Sequence, residues 1–252
     1  MTGFGARLAE AAAGPKARCL KKAAESGKHA LGNTTGSGQY PMARTRSENY
    51  DGIHLGILTN AARLFSAQGY MRASIADLAD ACKLSRGALY HYFDSKEAIL
   101  FAILDAHIRE MIEHVETAVA AGGPTLTQFQ NVIRAIVEVN AKSPHEQRVL
   151  IHDLSFLNED EQQAIKDLER QLVDIVTDLL VRLDAEGRIV RRTKKIYTMI
   201  LFGIINYTYT WYDPKGGIGP QEFADMAVEL FLQGFAPGGA TKSAITNRRA
   251  DA

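Results

Sequence analysis

The stretch SIADLADACKLSRGALYHYFDSKEAIL, residues Ser74–Leu100, reads as helix, tight turn, helix, and then the opening of a longer helix. Ser74 with Asp77 three residues on is close to a capping box, so a helix starts there. Ile75, Leu78 and Ala79 give it an apolar face, and Ala79 and Ala81 are small enough for a neighbouring helix to come close. Cys82, Lys83 and Leu84 make the turn, with Leu84 pointing inward. Ser85 caps the next helix, whose apolar Leu89 and Phe93, four residues apart, dock on a core. Arg86, Gly87, Ala88, Tyr90, His91 and Tyr92 are left on the outer side or at the end of a very short helix.

That residue set suits a helix that enters the major groove of DNA. Its first turn is small, and it carries donors for base edges and phosphates. Arg86 could read a guanine through two parallel hydrogen bonds, and Tyr90, His91 and Tyr92 offer donors suited to phosphate oxygens. Lys96, with the backbone N–H groups that open the following helix, could hold another phosphate. Three short helices with an aromatic cluster could also be an ordinary corner of a bundle. Exposed aromatics at the end of a capped helix argue against that, because a soluble surface rarely places them there without a partner.

Upstream, Ile57, Leu58, Ala61, Leu64 and Phe65 form an apolar stripe at helical spacing, and Gly69 ends that helix. Downstream, a long helix from about Ser95 carries Leu100, Ile103, His107, Met111 and Val115 until Gly122-Gly123-Pro124 stops it. Further helices are predicted over 125–141, 145–157, 160–186, 191–212 and 220–235. The stripe Ile165, Leu168, Leu172, Ile175, Leu179 and Leu183 is the clearest among them. No stretch alternates with period two, so the expected fold is all-α with about nine helices. An N-terminal three-helix helix-turn-helix domain over 49–104 would precede a second helical domain over 105–236.

The 252 residues are 46% hydrophobic, enough to bury a sizeable core. No apolar run approaches the ~20 residues that span a bilayer, so no membrane partner is expected. Two cysteines, Cys19 and Cys82, do not make a disulfide scaffold and fit a reducing cytoplasm. Net charge is zero, yet residues 1–50 hold eight Lys/Arg against three Asp/Glu, +5, which leaves −5 for the remainder. Residues 1–48 read as a disordered extension and 237–252 as a disordered tail. The segment before Met42 is either an arm that adds phosphate contacts or lies upstream of a true start at Met42; the second is favoured. The segment holds no apolar h-region, so a secretory signal is not expected.

The stretch from Ile57 to Leu104, with ILTNAARLFSAQGY, SIADLADACKLSRGALYHYF and the DSKEAIL that follows, resembles the DNA-binding domain of the TetR family of bacterial repressors. The resemblance implies a homodimer on a near-palindromic double-stranded operator, with the helices over 105–236 forming a ligand-binding and dimerisation domain that takes a small-molecule effector. By position it assigns DNA contact to Ser74, Lys83, Ser85, Arg86, Ala88, Tyr90, His91, Tyr92 and Lys96. Arg44 and Arg46 resemble the basic arm that some members lay along DNA. One departure stands out: the family commonly has Gly where Lys83 stands. If the position keeps φ > 0, Lys costs about 1 kcal/mol relative to Gly.

The segment KKIYTMILFGIINYTYTWYDP, Lys194–Pro214, is apolar almost all round and is therefore expected to be buried on most sides. Its aromatics and Asn206 could line a pocket or a two-fold interface formed with residues 220–235; both remain open. The expected ligand-binding set is His107, Met111, His152, Phe156, Tyr197, Asn206, Tyr207 and Trp211. The run WYDPKGGIGPQEFADMAVELFLQGF resembles the end of a TetR subgroup, several of whose members answer to acyl-CoA thioesters. Arg182, Arg188, Arg191, Arg192, Lys194 and Lys195 could bind the phosphates of such a ligand or simply form a solvated corner. His107, Glu110 and His114 share a helix face, but spacing alone makes a weak metal site, and neither metal nor cofactor is expected. No nucleophile elbow, Walker loop or HExxH occurs, and GNTTGSG follows no strand, so an enzyme is not expected. The remaining alternative is a helical interaction or ligand-sequestering protein without operator-specific DNA binding.

Overall fold

The computed structural model describes residues 48–184 and 193–233, all within one compact unit that begins at Ser47. Arg44, Arg46, Arg188, Arg191, Arg192 and both terminal segments lie outside the described residues. Among the described residues there are nine α-helices and no strand, as the absence of period-two patterning predicts. They are α1 (Glu48–Gln68), α2 (Ile75–Cys82), α3 (Arg86–Tyr92), α4 (Lys96–Ala120), α5 (Thr125–Lys142), α6 (Pro144–Asp153), α7 (Glu159–Leu183), α8 (Lys194–Asn206) and α9 (Pro220–Gln233).

Local chemistry sets most boundaries. Gly69 leaves α1 at φ 87°, and its N–H still bonds Phe65 O at 2.8 Å. Gly122 and Gly123, both at positive φ, separate α4 from α5. Pro144 opens α6 at a position where its missing N–H costs nothing. Asn158 and Glu161 form a reciprocal capping box at the start of α7, and Glu159, Asp160 and Glu161 place negative charge on its positive end.

The long α4 runs through the middle of the molecule. Leu100, Ile103, Leu104, Ile108, Met111 and Val115 are all buried on it, packed against α1, α5, α6 and α7. A bidentate ion pair, Arg134 to Asp225 at 2.7 and 2.9 Å, joins α5 to α9. Buried Thr177 and Thr198 share a hydroxyl hydrogen bond of 2.9 Å between α7 and α8.

Three expectations need correction. The segment predicted as one helix over 191–212 ends its α-helix at Asn206 and continues as a 3-10 turn, Tyr207–Thr210. Thr208 and Thr210 hydroxyls donate to Ile205 O and Tyr207 O, three residues back, which favours the tighter winding. Likewise the predicted 145–157 helix leaves the α form at Asp153 and closes with the turn Leu154–Phe156. The first segment is also not buried on most sides within the subunit. Ile196, Met199, Ile200, Tyr207 and Trp211 are between 52% and 65% exposed, and on α9 Met226 and Leu230 are 51% and 69% exposed.

Candidate nucleic-acid interface and effector cavity

The turn between α2 and α3 is built as the sequence suggests. Ser74 Oγ accepts from Asp77 N at 3.2 Å, while Asp77 Oδ2 accepts from Ser74 N at 2.8 Å, a complete capping box. Those bonds from the Ser74 backbone and hydroxyl hold the Asp77 carboxyl below the usual carboxylate range. At the far end Leu84 N bonds Ala79 O and Lys83 N bonds Asp80 O, the paired bonds of a Schellman stop. Lys83 takes φ 56°, ψ 39°, and is the single non-glycine residue at positive φ among the described residues. The strain anticipated for a lysine here is therefore real, and its side chain is exposed.

Helix α3 spans two turns. Ser85 Oγ caps it through Ala88 N at 3.1 Å. Leu89 and Phe93 are buried, Ala88 is half-buried, and Arg86, Gly87, Tyr90 and His91 face solvent. A Cβ built on Gly87 would meet nothing closer than Ser85 Oγ at 4.0 Å, so no internal contact demands glycine there. Tyr92 is half-buried and stacks on Tyr50 of α1 at 4.7 Å, while Phe93 stacks on His54 at 4.8 Å. These two pairs fix the C-terminal end of α3 against α1. The Tyr92 ring therefore braces α3 as well as ending it.

Lys96 departs from the sequence reading. Its Nζ turns into the molecule, donating to Tyr70 O and Ala73 O at 3.1 Å each and lying 4.1 Å from the Tyr70 ring centre. Two of its three donors are thus spent on backbone carbonyls of the α1–α2 connection, one of which, Tyr70 O, also accepts from Ala73 N, and a phosphate contact by this ammonium is disfavoured. Tyr70 is buried and donates to Glu97 Oε1 at 2.9 Å. Burial first, then the Glu97 bond, pushes the phenol far above its ordinary value. Tyr70 also packs edge-on to Phe65 and stacks on Phe156 at 5.2 Å. Phe156 is thereby a bridge between the end of α6 and the joint of α1, α2 and α4, and it lines no described cavity.

A cavity of about 390 Å³ opens among α4, α6, α7 and α8. Ile108, Met111, Leu150, Leu172, Val173, Met199 and Phe202 make it mostly apolar, and Gln147, Asn206, Lys166, Glu169 and Arg170 add polar groups. Burial raises the Glu169 carboxyl above its ordinary value against the pull of Lys166. Lys166 reaches Gln162 and Arg170 pairs with Asp167, both on the same helix.

Of the eight residues expected to bind ligand, Met111 and Asn206 line this cavity. His107 lines a separate space of about 290 Å³ with Leu58, Glu110 and Glu146; it is 2% exposed, with Nε2 3.0 Å from Oε1 of Gln147, which does line the larger cavity. Burial holds the His107 imidazole below its ordinary pKa and hence neutral. His152 is exposed and bonds Tyr209 OH at 2.7 Å; Tyr197 packs on the core, and Tyr207 and Trp211 are exposed. The cations at the cavity are Lys166 and Arg170. Arg182 instead contacts Gln128, and Lys195 pairs with Asp174 at 3.5 Å. Sequence patterning missed Gln147, Leu150, Glu169 and Phe202, since four helices must pack before such a space exists. Among the described residues no cluster of three or more metal-ligating side chains occurs, and no helix is long and apolar enough to cross a membrane.

A helix-turn-helix with an exposed, glycine-bearing second helix, joined through one long helix to a helical unit with an apolar cavity, defines a ligand-sensing DNA-binding regulator. The comparisons agree. Residues 57–103 match the family model of bacterial regulatory proteins, tetR family, and residues 122–235 match the tetracyclin repressor-like C-terminal domain. A TetR-family transcriptional regulator from Bordetella parapertussis is 36% identical, with a TM-score of 0.70 over 73% of this chain and 95% of that one. The transcriptional repressor KstR2 of Rhodococcus jostii is 25% identical over 190 residues, 71% of this chain and 89% of the repressor. AibR, solved with isovaleryl coenzyme A and operator DNA, shares the fold at 23% identity, with a TM-score of 0.62 over 71% of this chain and 97% of AibR. Some relatives match over less: the chain spans 28% of the uncharacterized regulator YuxN of Bacillus subtilis, at 30% identity over 82 residues. The chain belongs to the TetR family and is a DNA-binding transcriptional regulator, not an enzyme.

Proposed function

We propose that the protein is a homodimeric repressor that leaves a near-palindromic operator when a small, largely apolar effector with an anionic end occupies the cavity between α4 and α8. The observation that carries this reading is the cavity itself: an apolar interior, with Lys166 and Arg170 among its lining residues. An acyl thioester of coenzyme A suits it, the acyl chain lying among Met111, Leu150, Val173 and Phe202 and a phosphate meeting the cations. The likeness to AibR, whose structure includes isovaleryl coenzyme A, supports that class.

On the DNA side, Arg86, Gly87, Tyr90 and His91 are the exposed face of α3, with Ala88 beside them and Lys83 and Ser85 at its entry. Glycine at 87 costs a helix about 1 kcal/mol against alanine, and nothing inside the subunit asks for it. Close approach of an outside surface, the floor of a major groove, accounts for it. Ser74 and Ser85 act mainly as caps that set the two helices, with their exposed edges turned to the backbone of the DNA. The extra cations Arg44 and Arg46 would add phosphate contacts ahead of α1.

The exposed stripe of Ile196, Met199 and Ile200 on α8, with Tyr207 in the turn that follows and Met226 and Leu230 on α9, is the proposed two-fold interface. Two-fold symmetry then repeats α3 about one DNA turn away, which makes the operator a near-palindrome. An effector shifts the equilibrium only by binding the DNA-incompetent spacing more tightly than the competent one.

The test is a salt-controlled gel shift with genomic fragments selected by the protein. Arg86→Ala should cost about 1–3 kcal/mol of operator affinity with the dimer intact. Isovaleryl coenzyme A and longer acyl homologues should lower the affinity of the wild type. Unchanged affinity for Arg86→Ala removes α3 from the interface. Absence of any sequence-specific shift favours a helical ligand-sequestering protein instead.

A further inference from the structure

Two side-chain amides line the larger cavity, Gln147 from α6 and Asn206 from the end of α8. In both, the oxygen is engaged from behind. His107 Nε2 lies 3.0 Å from Gln147 Oε1, and Asn140 Nδ2 lies 3.4 Å from Asn206 Oδ1. Neither amide nitrogen bonds anything among the described residues. We infer that these two amides are the donors that read a neutral carbonyl oxygen of the effector, the thioester carbonyl of an acyl chain. This assignment rests on the reading of the cavity as the effector site and adds the groups that orient the guest there.

The orientation of each amide follows from what lies behind it. Asn140 Nδ2 also faces Ile205 O at 3.4 Å, which only accepts, so the nitrogen of Asn140 is fixed there and Asn206 must present its oxygen. The Asn206 nitrogen is then the end left for the cavity. His107 decides the Gln147 amide. Its ring is neutral, its Nε2 meets Gln147, and its Nδ1 is sealed without a partner. A proton on Nδ1 would leave an orphaned N–H in the core; a proton on Nε2 leaves only a bare lone pair, the better tolerated case. Nε2–H therefore donates to Gln147 Oε1, and the NH2 of Gln147 is the end left over. Among the described residues only His107 Nδ1 and Asn140 Oδ1 are side-chain atoms both sealed and unpartnered. Gln147 is 1% exposed, yet its unpartnered Nε2 is not one of them, and the space it opens on is the cavity that Gln147 lines.

A buried donor of this kind is completed by an acceptor from a guest. The rest of the wall narrows the acceptor. Met111, Leu150, Val173 and Phe202 are apolar, and Glu169 adds a half-buried carboxyl, so an anion among them would lose its water beside another acid. A carbonyl oxygen accepts from an amide without bringing charge, and it fixes the depth to which the chain enters. Exposed Lys166 and Arg170 remain for the anionic end. His107 and Asn140 are positioning residues, each acting through the amide in front of it.

Isothermal titration of the full chain with isovaleryl coenzyme A and with its thioether analogue S-(3-methylbutyl) coenzyme A, which lacks the carbonyl oxygen, tests the assignment. The wild type should bind the thioester about tenfold or more tighter than the thioether. Gln147→Met keeps the length without the donor and should remove that preference. His107→Leu frees the amide to turn and should narrow the preference while leaving thioether affinity unchanged. With carbon-13 at the acyl carbonyl, the infrared band of the bound thioester should move to lower frequency in the wild type and move less in Asn206→Leu. Equal binding of the two ligands by the wild type, or a preference that Gln147→Met retains, overturns the assignment and leaves the effector reading standing. If Gln147→Met does not fold, the wild-type band decides, and an unshifted band overturns the assignment. Failure of both ligands to bind at about 1 mM overturns the effector reading, and the assignment falls with it.

Discussion

Replacing Ile200 with aspartate should split the proposed dimer, and the size of the effect follows from exposure. Ile200 is 52% exposed in the subunit, midway along a stripe that also holds Ile196 and Met199. Half of an isoleucine's roughly 180 Å² is about 90 Å², worth about 2 kcal/mol when it leaves water. Two-fold symmetry counts this twice, about 4–5 kcal/mol for the pair. Aspartate forfeits that and places two carboxylates in an apolar interface, where each costs more still unless it takes up a proton. The dissociation constant should therefore rise by at least about three decades. Sedimentation velocity across a dilution series measures it directly. The single subunit should keep its helices, because Ile200 is outside the core, and circular dichroism checks that. Operator affinity should collapse with the dimer, since one recognition helix makes only half the contacts. A variant that sediments as a dimer at low micromolar concentration would refute the placement of the interface on α8 and α9.

Other outcomes follow from particular contacts. Lys83→Gly relieves the positive φ and should raise stability by about 1 kcal/mol in chemical denaturation; the slope of log affinity against log salt should fall by about one if Lys83 meets a phosphate. An unchanged slope returns Lys83 to the surface. Phe156→Ala removes the stack on Tyr70, about 1 kcal/mol, and should leave effector binding unchanged while reducing several-fold its effect on operator affinity; equal coupling in both proteins would show the bridge to be inert. His107, held neutral by burial, takes up its proton at lower pH in the folded chain than in the unfolded one. The unfolded state then binds more protons below the ordinary histidine range, so stability falls as pH drops through that window, by at most about 1.4 kcal/mol per pH unit. Asp153 and Glu169, whose carboxyls burial raises, act in the opposite direction, so the measurement is the difference between wild type and His107→Gln, which keeps a polar partner for Gln147 without titrating. Parallel pH profiles for the two proteins would exclude His107 as the source.

The N-terminal helices were legible because their signals are local. A cap residue, its partner three positions on and an apolar pair four apart act over one turn of chain, so Ser74, Asp77, Ser85, Leu89 and Phe93 could be placed by spacing alone. Lys83 stood out only against the family resemblance, which commonly has glycine at that turn, and the structure gives it φ 56°. The cavity was not. Phe156 follows Gln147 and Leu150 along the same predicted helix, yet the chain leaves the α form at Asp153 and Phe156 stacks on Tyr70; His152, still within α6, lies on the face away from Gln147 and bonds Tyr209. Lys96 misled for a related reason: its place at a helix start suits a phosphate, but two carbonyls from the α1–α2 connection, 23 and 26 residues earlier, accept its hydrogen bonds. The apolar character of α8 was read correctly, but apolar composition does not say which side is covered, and Ile196, Met199 and Ile200 are exposed in the subunit.

The way α3 is fastened has a consequence for how such a regulator changes its target. Leu89, Tyr92 and Phe93 tie it to the frame, and Ser85 starts it. Arg86, Gly87, Tyr90 and His91 contribute almost nothing to holding the subunit together. Selection can therefore rewrite those four positions without first having to rescue the fold, and an engineer can randomise them in one library. A gene duplicate of this protein is free to acquire a new address in the genome while its sensor, its joint and its partner surface stay as they were.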